Sequence, residues 1–416
     1  MRNVVVTGLG FITSIGNDKA TVSRSLRELT HGIAVYDRFE EAGERIHLTG
    51  KVKDFDVSAI DPEDWTYPER YALKREQIRA MAPHVLYAHC ALVQAVEDAG
   101  LSPDDISNPD TGLFASSAGS ARLLSHHMNR LKKLGLRRAS PMGVVSSVTG
   151  TLTFNLVALH KILGASGGFV SACASSNHAL GYAWDTIALG RQERIIVIGA
   201  EDGDLETILP FGAMRALSPD AEPPGSRPFD KSRNGFVGTG GATALVLESE
   251  ECAAARGAPV YGRFSGWGQA SDGYNVAISH PEGDGLARAT ELALKATGTA
   301  ASEVDYINAH ATSTPIGDTS ELKAIRKVFG TGGPAISSTK ALTGHGLSLA
   351  SAMEAGFTLL GMKEGFTPGS AHITEMDPEG ADLNIIRETL DKGPQVALSN
   401  SSGFGGANVV TVFKSA

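Results

Sequence analysis

G-T-G-G-A at residues 238–242 and G-F-G-G-A at residues 403–407 are two glycine-rich stretches that each precede an apolar run, at 244–247 and 409–413. Their starting positions, 238 and 403, lie 165 residues apart. A second pair of segments, V-S-A-C ending at residue 173 and I-S-S-T ending at residue 339, repeats at nearly the same spacing. Two matches at nearly the same spacing predict two halves with the same fold.

Strand-like and helix-like segments alternate within each half. R-I-I-V-I-G-A at residues 194–200 is apolar and β-branched, and residues 85–100 carry apolar side chains at helical spacing before a terminal glycine. A first strand is predicted at residues 4–7, ending at Gly8. The alternation predicts an α/β fold with two domains, residues 1–250 and 251–416.

Composition narrows the class of protein. The chain has 416 residues, of which 42% are hydrophobic and 20% charged, as is typical of a globular protein. The net charge of −9 argues against a general nucleic-acid binder. No apolar stretch has the length of a membrane span, so no membrane partner is predicted. Three cysteines without a C-x-x-C pattern fit a reducing compartment, and we expect a cytoplasmic protein.

Three polar residues carry the predicted chemistry: Cys173 in V-S-A-C-A-S-S, His310 in N-A-H-A-T-S-T-P, and His345 in L-T-G-H-G. A thiol can hold an acyl group, and imidazoles can hydrogen-bond a developing oxyanion. Cys173 precedes a helix predicted at residues 179–189, and a helix N-terminus favours the thiolate. His310 ends a strand-like run, and His345 lies in a glycine-flanked turn.

Each of these residue types also has a purely structural interpretation. A buried core position is the commonest fate of a free thiol, and we assign it to Cys90 in the middle of a predicted helix. Either histidine alone would be interpreted as a hydrogen-bonded core residue. The sequence contains no H-E-x-x-H motif and no Cys/His cluster with metal-ligand spacing along the chain, so no metal is predicted.

Taken together, the motifs resemble those of the β-ketoacyl-acyl-carrier-protein synthases of the thiolase fold. The ordered matches cover essentially the whole chain and include V-V-V-T-G-L-G-F-I-T-S-I-G-N, F-G-A-M-R-A-L-S, S-R-P-F-D-K-S-R-N-G-F-V, Y-I-N-A-H-A-T-S-T-P-I-G-D and N-S-S-G-F-G-G-A-N. The C-terminal motifs are most similar to the ketoacyl synthase I and II elongation enzymes. The resemblance implies two pseudo-repeated α/β halves that form a layered α-β-α-β-α core.

The resemblance also implies roles for individual residues. Cys173 would accept an acyl group from the phosphopantetheine of acyl carrier protein, and the enolate formed by decarboxylation of malonyl carrier protein would attack it. His310 and His345 would hydrogen-bond the malonyl thioester carbonyl. Backbone N–H groups of Cys173 and Phe404 would form the oxyanion hole, and the Phe404 ring would gate access to Cys173. No separate cofactor is implied.

Lys340 and Glu354 match charged residues that the family keeps behind the histidines. Two interpretations stay open: they orient the histidines, or they form a buried ion pair that only holds the local fold.

The chain departs from the family pattern beside the predicted site. Ala311 stands where glycine is usual, which would crowd the backbone, and Ser402 replaces a phenylalanine. G-L-S-L-A-S at residues 346–351 replaces a run of smaller residues. The acyl length and starter preference therefore stay open.

One basic cluster bears on the implied partner, acyl carrier protein, which is acidic. The cluster and one further arginine resemble carrier-docking positions of the family: Arg70, Lys74, Arg75, Arg79 and Arg215. A basic run by itself is usually a solvated face. The resemblance also implies a homodimer formed by strands and helices near the nucleophile.

Three functions stand as hypotheses. The leading one is the elongation of acyl chains on a carrier protein in fatty-acid synthesis. The second is the ketosynthase of a type II polyketide or polyene pathway, which would form a heterodimer with a non-catalytic homologue. The third is that chain-length-controlling, non-enzymatic partner itself, which the combination of Cys173 with both histidines disfavours.

Overall fold

The apolar runs of the sequence form the strands of one large mixed sheet and one small sheet. The computed structural model describes residues 1–41, 43 and 45–416. The strands in these residues are β1 (Val4–Ile12), β2 (Ile33–Val35), β3 (Leu48–Gly50), β4 (Thr111–Ser116), β5 (Ser166–Phe169), β6 (Arg194–Glu201), β7 (Gly238–Thr239), β8 (Gly241–Ser249), β9 (Gly262–Ser271), β10 (Tyr306–Asn308), β11 (Gly332–Ser337), β12 (Leu383–Ile385), β13 (Val396–Gly403) and β14 (Ala407–Lys414).

Helices connect most of these strands. The described residues form α1 (Lys19–Glu28), α2 (Asp37–Glu41), α3 (Arg75–Ile78), α4 (Pro83–Asp98), α5 (Pro103–Ile106), α6 (Ala121–Leu134), α7 (Gly143–Ser147), α8 (Thr151–His160), α9 (Ser175–Ala188), α10 (Leu205–Ile208), α11 (Glu250–Ala255), α12 (Asp284–Thr297), α13 (Pro315–Phe329), α14 (Lys340–Thr343) and α15 (Ala350–Glu364). No helix in this described part of the chain combines the length and hydrophobicity that crossing a bilayer requires.

The large sheet repeats one pairing pattern on its two sides. Its order is β12-β11-β10-β13-β14-β9-β1-β8-β6-β4-β5, and the two sides meet where Val4 of β1 pairs with Phe264 of β9. From the centre outward, each side has two antiparallel pairs (β1–β8–β6 and β9–β14–β13) followed by two parallel pairs (β6–β4–β5 and β13–β10–β11). The predicted repetition of one fold is therefore visible in the sheet. The division into residues 1–250 and 251–416, which falls between β8 and β9, remains our proposal.

Two helices form a central layer between the two sides of the sheet. α9 packs on β4 and β6 and also on β9 and β14, while α15 packs on β6 and β8 and also on β13. On the outer faces, α4 covers β1 and β8, and α12 covers β9 and β14. Because α15 touches both sides, its residues from Ala350 to Met362 are all buried. These layers confirm the predicted α-β-α-β-α order.

Strand glycines let the outer helices approach the sheet closely. A Cβ atom at Gly10 of β1 would lie 1.9 Å from the carbonyl oxygen of Ala91 in α4. On the other side of the molecule, a Cβ at Gly268 of β9 would lie 2.4 Å from the carbonyl oxygen of Ala289 in α12. The same close packing of helix on strand thus recurs in both halves.

Two sequence-based boundaries were wrong. β1 continues through Gly8 to Ile12, because pairing with β8 supplies the hydrogen bonds, and only a register shift between Val6 and Gly8 marks the glycine. α9 begins at Ser175, four residues before the predicted start. This earlier start brings the helix terminus closer to Cys173.

Candidate active site

The predicted nucleophile lies on a tight turn between β5 and α9. Cys173 immediately precedes Ala174, the residue that caps α9. Ala172 has a φ of +50°, a left-handed conformation that costs energy in a residue with a Cβ atom. The Ser175 hydroxyl donates to the Ala172 carbonyl at 2.5 Å and accepts from the Ser171 N–H at 2.8 Å, which fixes the turn.

Both predicted histidines meet the thiol. His345 Nε2 lies 3.0 Å from Cys173 Sγ, and one ring nitrogen of each histidine lies within 4.8 Å of the other and of the sulfur. The two imidazole rings are nearly perpendicular, with centroids 5.3 Å apart. His310 lies in the loop after β10, and His345 lies in the turn after α14. The fold therefore brings together three residues that are far apart in sequence.

Two effects act on the acidity of the thiol in opposite directions. Burial raises the pKa of Cys173 to about 12, and the charges of Glu201 and Glu354 add to this effect, while the Lys340 ammonium opposes it. The N-terminus of α9, which begins two residues after Cys173, favours the thiolate, whereas desolvation favours the protonated thiol.

Both imidazoles are neutral. Burial holds the pKa of His310 and of His345 well below the ordinary histidine value, and the Lys340 ammonium lowers both further. The Nδ1 atoms of both rings are buried and have no hydrogen-bond partner among the residues that the structure describes. A buried N–H without an acceptor is costly, which favours the tautomer with the proton on Nε2.

Lys340 and Glu354 form an ion pair behind the histidines. Both side chains are buried, and the Lys340 ammonium donates to a Glu354 carboxylate oxygen. Burial raises the pKa of Glu354 to about 7, although the lysine opposes the shift. The ion pair is thus present, and the charge of Lys340 lowers the pKa of both imidazoles.

Glu321 is a site residue that sequence reasoning missed. Its carboxylate accepts the backbone N–H of His310 at 2.9 Å, the N–H of Ala311 at 2.7 Å and the Asn400 side-chain amide at 3.0 Å. These bonds tie the loop that carries His310 to α13 and β13. A lone acid in the E-L-K segment of the sequence gave no sign of this role.

A buried serine network was also missed. The Ser351 hydroxyl donates to the Cys173 carbonyl at 3.1 Å and lies 2.7 Å from the Ser401 hydroxyl, which accepts from the Asn177 amide at 2.9 Å. The departure at residues 346–351 therefore places a hydroxyl against the backbone of Cys173. The Ser348 hydroxyl, from the same run, donates to Glu201.

Cys173 lies at the junction of two cavities. One, of about 310 Å³, is lined by both histidines, Arg215 and Ile316, and the other, of about 220 Å³, is lined by residues of β6 and α10. Four residues line both cavities: Cys173, Phe211, Leu347 and Phe404. These four residues form a wall that the two cavities share.

Phe404 stands at this wall, 40% exposed, with its ring centroid 5.9 Å from that of Phe211. Its neighbour Gly403 approaches the turn that carries Cys173 so closely that a Cβ there would lie 2.6 Å from the Ser171 oxygen and 3.1 Å from the Cys173 nitrogen. Ser402 lines the first cavity and donates to Asn408 at 2.7 Å.

Ala311, which stands where the family usually has glycine, does not have the positive φ that would require glycine. It is buried, and its N–H is bonded to Glu321. Cys90 is buried in α4, as predicted.

The basic residues divide into two groups. Arg215 is exposed and lines the cavity that holds Cys173 and both histidines. The others lie around α3, where Arg75 and Arg79 both bind Glu63, Arg70 binds Glu97, and Lys74 is exposed. The structure brings only Arg215 to the site itself.

The thiol and two imidazoles also have the chemistry of a zinc ligand set. The buried Lys340 ammonium, which lowers the pKa of both imidazoles, disfavours a cation between them by the same repulsion. That the site takes no metal stays a prediction.

Comparison with known proteins identifies the family. The model of the β-ketoacyl synthase N-terminal domain matches residues 1–253, and that of the β-ketoacyl synthase C-terminal domain matches residues 261–374. The chain belongs to the β-ketoacyl synthase family.

Relatives of this β-ketoacyl synthase span its full length. It is 39% identical over 420 residues to 3-oxoacyl-[acyl-carrier-protein] synthase 1 of Escherichia coli strain K12, with 100% of this chain and 99% of the relative covered. The synthase 1 of Haemophilus influenzae is 38% identical with the same coverage. Among solved structures, a β-ketoacyl synthase from Burkholderia phymatum is 30% identical with a TM-score of 0.90, and both chains are fully covered.

The ishigamide ketosynthase/chain length factor is 29% identical to this β-ketoacyl synthase, with a TM-score of 0.89 over 100% of this chain and 99% of the other. These ketosynthase neighbours confirm the predicted thiolase-like α/β fold.

Proposed function

We propose that this protein is a β-ketoacyl-acyl-carrier-protein synthase that elongates acyl chains in fatty-acid synthesis. The observation that carries the proposal is the convergence of the Cys173 thiol with His310 and His345 at the junction of two cavities. Full-length relatives named 3-oxoacyl-[acyl-carrier-protein] synthase 1 support the same reaction.

The first half-reaction loads the acyl chain. Cys173 Sγ bonds to the carbonyl carbon of an acyl thioester on the phosphopantetheine of acyl carrier protein. The bond from that carbon to the phosphopantetheine sulfur breaks, and the thiol proton ends on the departing sulfur. Because the pKa of the thiol is high, its developing negative charge needs stabilisation. The His345 Nε2–H, 3.0 Å away, and the N-terminus of α9 supply it.

The second half-reaction forms the carbon–carbon bond. Malonyl carrier protein loses CO₂, and the electrons of the broken bond form an enolate whose carbon attacks the Cys173 thioester. The bond between the acyl carbon and Cys173 breaks, and the thiolate takes up a proton from water. The neutral imidazoles of His310 and His345 donate from Nε2 to the enolate oxygen, which stabilises its charge.

Backbone groups stabilise the tetrahedral intermediates. We assign the oxyanion hole to the N–H groups of Cys173 and Phe404, and the close approach of Gly403 to the Cys173 backbone supports this pairing. Phe404 lines both cavities, as a gate between acyl chain and malonyl group would. Burial keeps the two imidazoles neutral, and the Lys340 ammonium, held by Glu354, lowers their pKa further.

The cavity of about 310 Å³ admits the phosphopantetheine arm in this proposal. Exposed Arg215 on its lining attracts the acidic carrier protein. The cluster Arg70, Lys74, Arg75 and Arg79 extends this surface in our proposal. Its ion pairs with Glu63 and Glu97 are exposed, so they are weak and can exchange for carrier carboxylates.

We propose a homodimer formed along β5. This strand is the last of the large sheet, and exposed apolar side chains surround it: Phe154, Leu163, Val170 and Tyr182. An apolar, unpaired edge suits a second copy related by a two-fold axis, because the same strand can pair with itself. Three cysteines that are not paired with one another agree with the cytoplasmic location that we propose.

A type II polyketide or polyene ketosynthase remains the second candidate. The observation in its favour is the likeness to the ishigamide ketosynthase/chain length factor at 29% identity. The identity to 3-oxoacyl-[acyl-carrier-protein] synthase 1 of Escherichia coli is higher, at 39%. A non-enzymatic chain-length partner is disfavoured because Cys173 and both histidines are present and converge.

The test is a condensation assay with malonyl carrier protein and acyl carrier proteins of graded length, read by intact mass spectrometry. We expect 3-oxoacyl carrier protein with two added carbons, and none with the Cys173→Ala variant. Absence of product with every donor, from folded wild-type protein, would refute the stand-alone elongating enzyme.

A further inference from the structure

A chain of three side chains connects β9 to the turn that carries Cys173. The Ser171 hydroxyl lies 2.6 Å from Nδ1 of His178, and Nε2 of the same ring lies 2.8 Å from Oε1 of Gln269. Ser171 stands two residues before the nucleophile, His178 lies in the first turn of α9, and Gln269 belongs to β9. None of the three side chains takes part in the two half-reactions proposed for Cys173.

The two hydrogen bonds determine which nitrogen of His178 carries the proton. Burial lowers the pKa of His178, so the ring is neutral at neutral pH and has one N–H. The side-chain oxygen of Gln269 can only accept, which places that proton on Nε2. Nδ1 is therefore the acceptor, and the Ser171 hydroxyl donates to it. Gln269 thus keeps His178 in the tautomer that can hold Ser171.

Packing also fixes the orientation of the His178 ring. Its centroid lies 6.1 Å from that of Trp267 and 6.3 Å from that of Tyr182. Gly181 lets Trp267 approach α9 closely, because a Cβ at this glycine would lie 2.2 Å from a carbon of the indole ring. A ring that is held both by neighbouring aromatic rings and by a hydrogen bond to Gln269 is pre-organised as an acceptor.

The turn that Ser171 begins is strained and depends on its surroundings. Ala172 has a φ of +50°, and a residue with a Cβ atom keeps such a conformation only where its surroundings impose it. The conformation of Ala172 sets the direction of the next peptide group, whose N–H belongs to Cys173. A change in this turn therefore moves the thiol and the N–H of the predicted oxyanion hole together. A displacement of about 1 Å near the reacting atoms can lower a rate by on the order of 10²-fold.

We propose that His178 is a positioning residue for the loading of Cys173, and that it acts by accepting the Ser171 hydroxyl while Gln269 fixes its tautomer. The inference rests on the proposed function, because loading of Cys173 is the step that it concerns. His178 does not contact the acyl group in this proposal, so it is not a catalytic residue. It determines where the thiol and the N–H of Cys173 lie when the donor thioester binds.

The experiment measures the rate of Cys173 acylation by an acyl carrier protein in a single turnover, read by intact mass spectrometry over a range of donor concentrations. Ser171→Ala and His178→Phe each remove the bond between the two side chains, and the phenyl ring keeps the packing on Trp267 and Tyr182. We expect each variant to lower the acylation rate at saturating donor by on the order of tenfold, with the half-saturating donor concentration unchanged. The double variant should be no slower than either single variant, because both substitutions remove the same bond.

Two further variants and a control distinguish positioning from general stability. His178→Asn should restore most of the rate, because its side-chain oxygen can accept from Ser171 near the place of Nδ1. Gln269→Leu should slow acylation less than His178→Phe, since it frees the tautomer but leaves the acceptor nitrogen in place. His126→Phe, which changes a histidine on α6, should leave the rate unchanged. Thermal unfolding and sedimentation of every variant show whether it remains folded and of wild-type size.

The results separate the inference from the function. If the double variant loses the product of the two single factors, Ser171 and His178 act independently and the inference is wrong. Wild-type acylation by folded Ser171→Ala would also overturn it, and this variant keeps the test decisive even where His178→Phe does not fold. Equal rates in His178→Asn and His178→Phe would contradict the hydrogen bond from Ser171 as the cause. No acylation of Cys173 by any donor would overturn the proposed function and the inference with it.

Discussion

The two histidines differ in one contact that can be measured separately. His345 Nε2 lies 3.0 Å from the Cys173 sulfur, and no such contact joins His310 to the sulfur among the hydrogen bonds of the described residues. His345→Ala should therefore slow both acyl loading and condensation. His310→Ala should slow only condensation, by about 10²- to 10³-fold, as expected for the loss of one oxyanion donor.

Single-turnover acylation and malonyl decarboxylation, each followed by mass spectrometry, distinguish the two effects. Equal loss of acyl loading in both variants would contradict the assignment of the sulfur contact to His345.

The raised pKa of Glu201 predicts how the stability of the protein depends on pH. Its pKa is about 7 in the folded protein, above the ordinary value of about 4.3 in the unfolded chain. Between these values the folded state keeps a proton that the unfolded state releases, so stability falls as pH rises through this range. The free energy of unfolding, measured with urea, should fall between pH 4.5 and pH 7.5. The fall should be larger in wild type than in Glu201→Gln, by on the order of 3 kcal/mol.

Identical pH dependence in Glu201→Gln and wild type would show that the Glu201 carboxyl has the same pKa in both states.

Sequence reasoning identified the three residues that converge in the candidate site because their motifs are local. Cys173, His310 and His345 each stand in a short distinctive segment. Glu321 and Ser351 were missed because their roles depend on contacts with residues 10 to 178 positions away. The effect of burial, which raises the pKa of Cys173, could not be predicted for a related reason, since distant elements bury the thiol.

At the level of elements, the packing of α4 on β1 allows a direct test. A Cβ at Gly10 would lie 1.9 Å from a backbone oxygen of α4, which a side-chain rotation cannot relieve. Gly10→Ala should lower the free energy of unfolding by about 3 kcal/mol or more, or prevent folding. Gly167→Ala in β5, where the nearest atom would be 3.5 Å away, is the matched control and should change it by less than about 0.5 kcal/mol.

Chemical denaturation of both variants gives the comparison. If Gly10→Ala were as stable as the wild type, α4 could move away from β1 without lowering the free energy of unfolding, and the prediction would be wrong.

The continuation of β1 past Gly8 shows why the end of a strand could not be predicted from the local sequence. Glycine weakens an isolated strand, but β1 lies in the interior of the sheet and pairs with both β8 and β9. The pairing partners lie more than 200 residues away in sequence, and they allow the strand to continue past Gly8. The buried strand at residues 194–200 was predicted correctly because its apolar run needs no such context.

At the scale of the whole molecule, the proposed dimer makes a prediction about mass. The protein should sediment as a particle of twice 43.5 kDa. Phe154→Lys, which puts a charge beside the free edge of β5, should shift it to monomer, because burying an unpaired charge is costly. Leu292→Lys, an equally exposed apolar position on the outer helix α12, is the control and should remain dimeric.

Sedimentation velocity distinguishes these cases. A monomeric wild type would contradict the homodimer and point instead to a heterologous partner at the same edge.

The central layer also has a consequence for the order in which the protein is made. α9 is completed on the ribosome roughly 160 residues before α15 begins. At ordinary translation rates this interval lasts about ten to thirty seconds. During this interval α15 is not yet present to cover the inner faces of β6 and β8. The nascent chain therefore exposes a large apolar surface. Holding chaperones should therefore engage this protein mainly while its second half is still being translated.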